Sequence, residues 1–209
     1  MYDRLTDLQT TKAWLKVSGN NDDAVLAQLI DAMSETVGRF CGRDNLGAII
    51  DYDDMFFPRS NLAALGNNNF SLMMRAYPVT EIVSVTVNNS PCTILDNESI
   101  MTGQAGVYLD VQDVEPRLLR FNGIFWNGVS PIRVKYKAGY EKSNVPKGLQ
   151  QAVRQAVAEV YRSQGWIGYS SKAIGGETVS FDTGDSWGLS KRTQTMLGPY
   201  RNVVPFSWC

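Results

Sequence analysis

A chain of 209 residues with 44% hydrophobic and 20% charged side chains has the apolar content for one sizeable domain or two small ones, which excludes wholesale disorder. Its 20 Lys and Arg against 21 Asp and Glu leave a net charge of −1, which argues against a general nucleic-acid binder. It has no histidine, which excludes every mechanism built on a Ser–His or Cys–His pair or a histidine metal ligand.

Cys41, Cys92 and Cys209 are widely spaced and odd in number, so they read as free thiols in a reducing compartment rather than a zinc site or disulfide framework. No apolar run approaches the ~18 residues of a membrane span. The opening MYDRLTDLQTTKAWL is polar and mixed in charge, unlike a signal peptide. The expected compartment is the cytoplasm. Charge shifts along the chain: residues 1–45 and 46–145 each carry a net −2, and residues 146–209 a net +3.

In chain order, Thr6 and Gln9 have the spacing of a capping box. They start a short helix with Leu5, Leu8, Ala13, Trp14 and Val17 as its apolar positions, ended by Ser18-Gly19-Asn20-Asn21. A second helix starts from a cap at Asn21 or Asp22. Leu26, Leu29, Ile30, Met33, Val37, Phe40 and Cys41 form one stripe at helical period, and Gly42 closes it. Asp22 and Asp23 at its start and Arg39 and Arg43 near its end suit the helix dipole.

From 46 to 140 short β-rich runs are separated by Gly, Pro and Asn. They are MFF at 55–57, FSLMM at 70–74, IVSVTVN at 82–88, CTIL at 92–95, GVYLDV at 106–111, LLRF at 118–121 and PIRVKYKAGY at 131–140. In the last, Ile132, Val134 and Tyr136 alternate with Arg133, Lys135 and Lys137, the pattern of an edge strand or one solvated on one side. Asn88-Asn89 is a hairpin candidate. A third helix follows Val145-Pro146, with Leu149, Ala152, Val153, Ala156, Val157, Val160 and Tyr161 as its stripe. A last helical segment, Lys191–Leu197, has Ser190 as its cap and is stopped by Gly198-Pro199.

These elements add up to an α+β chain. It has an antiparallel helical body of three main helices (1–45 and 141–170), a small antiparallel β domain inserted at 46–140, and an extended C-terminal arm (171–209) with a short helix.

The candidate chemistry is sparse. Ser180-Phe181-Asp182-Thr183-Gly184 resembles the active-site turn of aspartic proteases, but those enzymes need two such aspartates and only one copy is present. Asp51, Asp53 and Asp54 lack the ligand array of a calcium loop and read as a solvated strand face. Glu81, Asp110 and Asp113 have no spacing that marks an acid–base pair. Gly175-Gly176 has no lysine or strand-to-helix frame for a phosphate and reads as a flexible hinge. Trp126, Trp166 and Trp187 lie in Gly-rich or loop-like stretches and are candidate intersubunit or partner anchors. No catalytic residue, metal or cofactor is expected.

The order of segments DDAVLAQLIDAMSETVGRFCGR, YPVTEIVSVTV, VKYKAGY, VPKGLQQAVRQAVAEVYRSQG and MLGPYRN resembles the head–tail connector (adaptor) family of tailed bacteriophages. The similarity covers about 5–45, 77–88 and 132–201, while 46–76 and 89–130 match little. The resemblance implies a structural virion protein at the neck, made in the host cytoplasm. It implies a ring of identical subunits, usually twelve-fold, that docks under the portal protein. Such a ring extends the channel through which genomic double-stranded DNA passes without sequence-specific binding, and forms the platform for the next neck or tail protein. The alternatives are another neck or tail ring protein (a stopper or tail terminator) and, more remotely, the Asp-Thr-Gly protease. On this reading the portal-docking segment is the apolar, aromatic tail: Leu197, Tyr200, Arg201, Val203, Val204, Phe206 and Trp208, kept out of a helix by Pro199 and Pro205.

Overall fold

The computed structural model describes residues 3–57, 70–112, 115–124, 130–163, 171–174, 177–180 and 188–202. The chain divides into two compact units, with boundaries between Gly47 and Ala48 and between Tyr140 and Glu141. The first unit is mostly helical and the second mostly strand.

The first helix, α1, runs Leu8–Leu15 and is capped by Asp7, whose carboxylate accepts from the Thr10 amide at 2.8 Å. The cap is therefore one residue later than the Thr6–Gln9 pattern suggests. A carboxylate satisfies the free amides and the positive helix end together, while Thr6 is buried. The helix closes at Lys16, in the left-handed conformation at φ 59°. Its inward face is Thr11, Lys12 and Leu15, with Ala13 exposed. Lys12 is buried because its ammonium is fully engaged: it donates to Gly19 O at 2.6 Å, to Asn20 Oδ1 at 3.3 Å and to the Asp23 carboxylate. It thus ties the end of α1 to the start of α2, Asp23–Cys41. In α2 the apolar stripe is read correctly at Leu26, Ile30, Val37, Phe40 and Cys41, which are buried, while Leu29 and Met33 border it. Gly42, at φ 64°, is the C-cap.

The strand unit contains β1 (Ile50–Phe56), β2 (Phe70–Met73), β3 (Val79–Val87), β4 (Ser90–Cys92), the short helix α3 (Asn97–Met101), β5 (Gly106–Asp110), β6 (Leu118–Asn122) and β7 (Ile132–Ala138). They form a four-stranded sheet in the order β1-β7-β3-β4 and a three-stranded sheet in the order β2-β6-β5, with antiparallel pairing throughout. One core joins them, drawn from Phe56, Val85 and Ile132 of the first sheet and Phe70, Leu119 and Phe121 of the second among others. Thr93–Leu95 links the sheets: Leu95 N–H donates to Val107 O at 2.8 Å and Val107 N–H to Thr93 O at 2.9 Å. Gly106 permits this approach, since a Cβ there would lie 2.6 Å from Leu95 and 2.7 Å from Thr93 O. Asn88 (φ 53°) and Asn89 (φ 62°) make the β3–β4 hairpin turn.

The basic strand β7 is not an edge. It lies between β1 and β3, with Ile132, Val134, Tyr136 and Ala138 buried. Its outward cations are tolerated there because the neighbouring strands supply acids. Arg133 pairs with Asp53 at 2.6 Å and Lys137 with Glu81 at 2.8 Å, and Lys135 lies 3.8 Å from Asp53.

The chain then returns to the helical unit with α4 (Lys147–Ser163), which buries Leu149, Ala152, Val153, Ala156 and Val157. The Tyr161 hydroxyl donates to Asp22 at 2.9 Å, so the end of α4 meets the start of α2 and the two helices are antiparallel. Next come β8 (Ser171–Ile174) and β9 (Glu177–Ser180), an antiparallel pair with Ile174 opposite Glu177. Gly175 and Gly176, the expected hinge, lie outside the described residues. The β8–β9 pair on either side of them is not foreshadowed by the sequence pattern. Last is α5 (Lys191–Leu197), continued by a 3-10 turn over Gly198–Tyr200.

The expected architecture of a three-helix body, small β insertion and extended arm is corrected in two respects. The strand unit holds two sheets around its own core, because the runs at 70–74, 106–111 and 118–121 pair with one another instead of joining the first sheet. The arm is not extended over 188–202: Leu189, Thr193 and Leu197 are buried at 1%, 0% and 0% exposure, so α5 is a fourth helix of the helical unit.

Candidate functional site

The end of the described chain is held in place by several independent contacts. Ser190 caps α5, accepting from the Thr193 amide at 3.2 Å, and its hydroxyl donates to Glu159 of α4 at 2.9 Å. Glu159 also accepts from Thr193 Oγ1 at 3.4 Å and from Gln155 Nε2 at 2.8 Å. At the other end, the tip of Tyr200 lies over Gly148 in the first turn of α4, where a Cβ would be 2.6 Å from the phenol oxygen. Hence α5 runs antiparallel to α4. The Arg201 guanidinium stacks 4.9 Å from the centre of the Phe40 ring. The Asn202 amide donates to Cys41 O at 2.7 Å. That carbonyl belongs to the last turn of α2, where helix geometry leaves acceptors without an intrahelical donor. The chain from 198 to 202 therefore completes the capping of α2. Burial pushes the Cys41 thiol up to about 11, against the opposing pull of Arg43 and Arg201.

Among the expected docking residues, Leu197 is inside the helical unit, Tyr200 is half-exposed and Arg201 is exposed. Val203, Val204, Phe206 and Trp208 lie outside the described residues, as do the candidate anchors Trp126, Trp166 and Trp187. The structure adds Phe40, Gly148 and Asn202, which sequence reasoning missed. Gly148 carries a signal of its own, since a glycine in a first turn sacrifices helix propensity where close approach is needed.

Of the acidic residues weighed as ligands or acid–base pairs, Asp53, Asp54, Glu81 and Asp110 are engaged by partners in the strand unit, and Asp51 stands opposite Lys137 in the β1–β7 register. Asp53 pairs with Arg133 and Lys135, and the Arg133 hydrogen bond holds its carboxyl below the usual range. Asp54 accepts from the buried Tyr136 hydroxyl at 2.8 Å. Glu81 pairs with Lys137, and Asp110 with Arg120 at 2.6 Å. Asp113 and Phe181–Gly184 lie outside the described residues.

The described chain thus ends pinned against the last turn of α2, and the outward charges of β7 are paired across their sheet. The chain belongs to the head completion protein family, whose model matches residues 4–203. Its role is structural, in the connection of head to tail. Among the solved structures that share the fold are two from gene transfer agent particles. One is a chain from the neck of an empty gene transfer agent particle, computed with C6 symmetry: 13% identical, TM-score 0.50, covering 99% of this chain and 98% of that one. The other is a chain from the virion of a native gene transfer agent particle: 14% identical, TM-score 0.52, covering 97% and 92%. No curated protein sequence matches.

Proposed function

We propose that this chain forms a homo-oligomeric ring in the virion neck, twelve-fold under a twelve-fold portal, and docks on the portal protein through its C-terminal segment. The ring extends the DNA channel and presents its opposite surface to the next neck or tail protein. The observation that carries the reading is the anchoring of 198–202 on α2 and α4 beside an apolar, aromatic run, Val203–Cys209. A rigid base for an interaction segment lowers the ordering entropy lost on docking. The neck origin of a structure with the same fold supports the location and, through its sixfold symmetry, the ring. Charge supports the passive channel. The exposed cations of β7, Arg133, Lys135 and Lys137, are paired with carboxylates, so DNA gains little affinity from them. The role is structural rather than catalytic.

The test is electron microscopy of the full chain, and of a chain ending at Asn202, each mixed with portal rings from the same genome. An added layer with the full chain that is missing with the shortened one supports both the ring and the docking segment. A layer formed equally by both removes the segment from the reading. Rings found on tail tubes instead of portals would make the protein a tail terminator.

A further inference from the structure

The β8–β9 hairpin forms a two-stranded sheet that pairs with no other strand among the described residues. A lone ribbon of this size is marginal in water, because each strand leaves one row of amides and carbonyls unpaired. Strand β1 presents the complementary situation. It is the outer strand of the four-stranded sheet and pairs with β7 through seven consecutive positions without a bulge. It contains no proline, and no strand lies on its other side among the described residues. The other outer strands are less available. β4 has three residues including Pro91, β2 has four, and β5 is partly covered by Thr93–Leu95. A straight, unbulged edge of this length is a template for strand addition.

We infer that the β8–β9 hairpin of one copy adds to β1 of a neighbouring copy, extending the four-stranded sheet to six strands across the subunit boundary. Charge selects β8 as the joining strand. β1 carries Asp51, Asp53 and Asp54 and no base, β8 carries Lys172 and no acid, and β9 carries Glu177. β1 paired with a second β1 would set aspartate against aspartate. Hairpin against edge is a heterologous contact, the type that closes a ring by rotation.

This inference rests on the ring reading above. Amide hydrogen exchange on necks isolated from particles, compared with the free full-length chain, tests it. Peptides covering β1 and β8 are expected to slow together in the neck, by about a hundredfold or more. If microscopy shows a ring of this chain in the neck while β1 exchanges as in the free chain, the strand addition is overturned and the ring stands. If the neck holds no ring of this chain, both fall. Replacing 165–186 with a Gly-Ser linker gives a second readout. At least tenfold fewer rings with unchanged helical circular dichroism is the expected result, and undiminished ring formation overturns the inference.

Discussion

Substituting Leu197→Ala separates a seated α5 from a free arm. The side chain is fully buried, at 0% exposure, and Leu189 and Thr193 of the same segment are buried beside it at 1% and 0%. Truncation to alanine removes about three buried carbons, worth ~2–3 kcal/mol of transfer free energy, and the cavity left behind raises the cost to about 3–4 kcal/mol. That is a large share of the ~5–15 kcal/mol that stabilises a typical domain. Urea unfolding followed by circular dichroism at 222 nm reports chiefly on the helical unit, which matters because the two units need not unfold together. The midpoint should fall well below that of wild type. The chain ending at Asn202 keeps Leu197, Tyr200 and the Asn202–Cys41 bond, and should unfold as wild type does. A loss below ~1 kcal/mol for Leu197→Ala would refute the seating of α5 on α4. By the same logic, deletion from 190 onward is expected to unfold the helical unit as well as to remove the proposed docking segment.

Other outcomes follow from the geometry. Gly106→Ala should cost about 1–3 kcal/mol in urea unfolding of the strand unit, because the new methyl meets Leu95 and the Thr93 carbonyl instead of open space. Lys16→Gly should raise helical-unit stability by about 0.5–1 kcal/mol, since glycine holds the left-handed C-cap of α1 without Cβ strain. Asp7, Asp31, Asp53, Asp96 and Asp110 all have folded pKa values below their ordinary 3.8, owing to the Thr10 amide, Arg4, Arg133, the Ser99 amide and Arg120 respectively. Their stabilisation is complete above the unfolded pKa and is lost as pH falls through the folded values, so the melting temperature should drop on acidification below about pH 4. Asp53→Asn should flatten that drop in the strand unit.

The helices were legible because burial on one side imposes a period that composition cannot hide. The α2 stripe, its Gly42 cap and the Ser190 cap of α5 follow from spacing and from residues suited to special backbone positions. The failures have physical causes. Asp7 displaced Thr6 as cap because two competent oxygens stand side by side, and only the local backbone decides between them. Lys12 and Thr11 replaced Ala13 on the buried face of α1, since a lysine can be buried when three acceptors converge on it. Those acceptors, in the loop and α2, are invisible to a pattern read along α1 alone.

The position of β7 shows how far local reading reaches. Alternating Ile, Val and Tyr against Arg and Lys correctly marks a strand with one buried face, but the inference from lysines to an edge treats charge as a property of one strand. In an antiparallel sheet the energetic unit is the cross-strand pair. Asp53, 80 residues away from Arg133, makes two hydrogen bonds to it at 2.7 and 2.6 Å, and Glu81 meets Lys137 from the other side. The acids at 51–54 and the bases at 133–137, each without evident chemistry in sequence, answer one another only when the register brings them opposite. The same reasoning explains why the end of the chain was only half legible. The aromatic tail stands out in composition, whereas Tyr200, Arg201 and Asn202 before it are held by Gly148, Phe40 and the Cys41 carbonyl: a missing side chain, a ring face and a backbone atom. None of the three carries a motif, and all are chosen by what packs against them. Reading such a site from sequence means asking which helix ends and small residues lack a partner, then looking for the segment able to supply one.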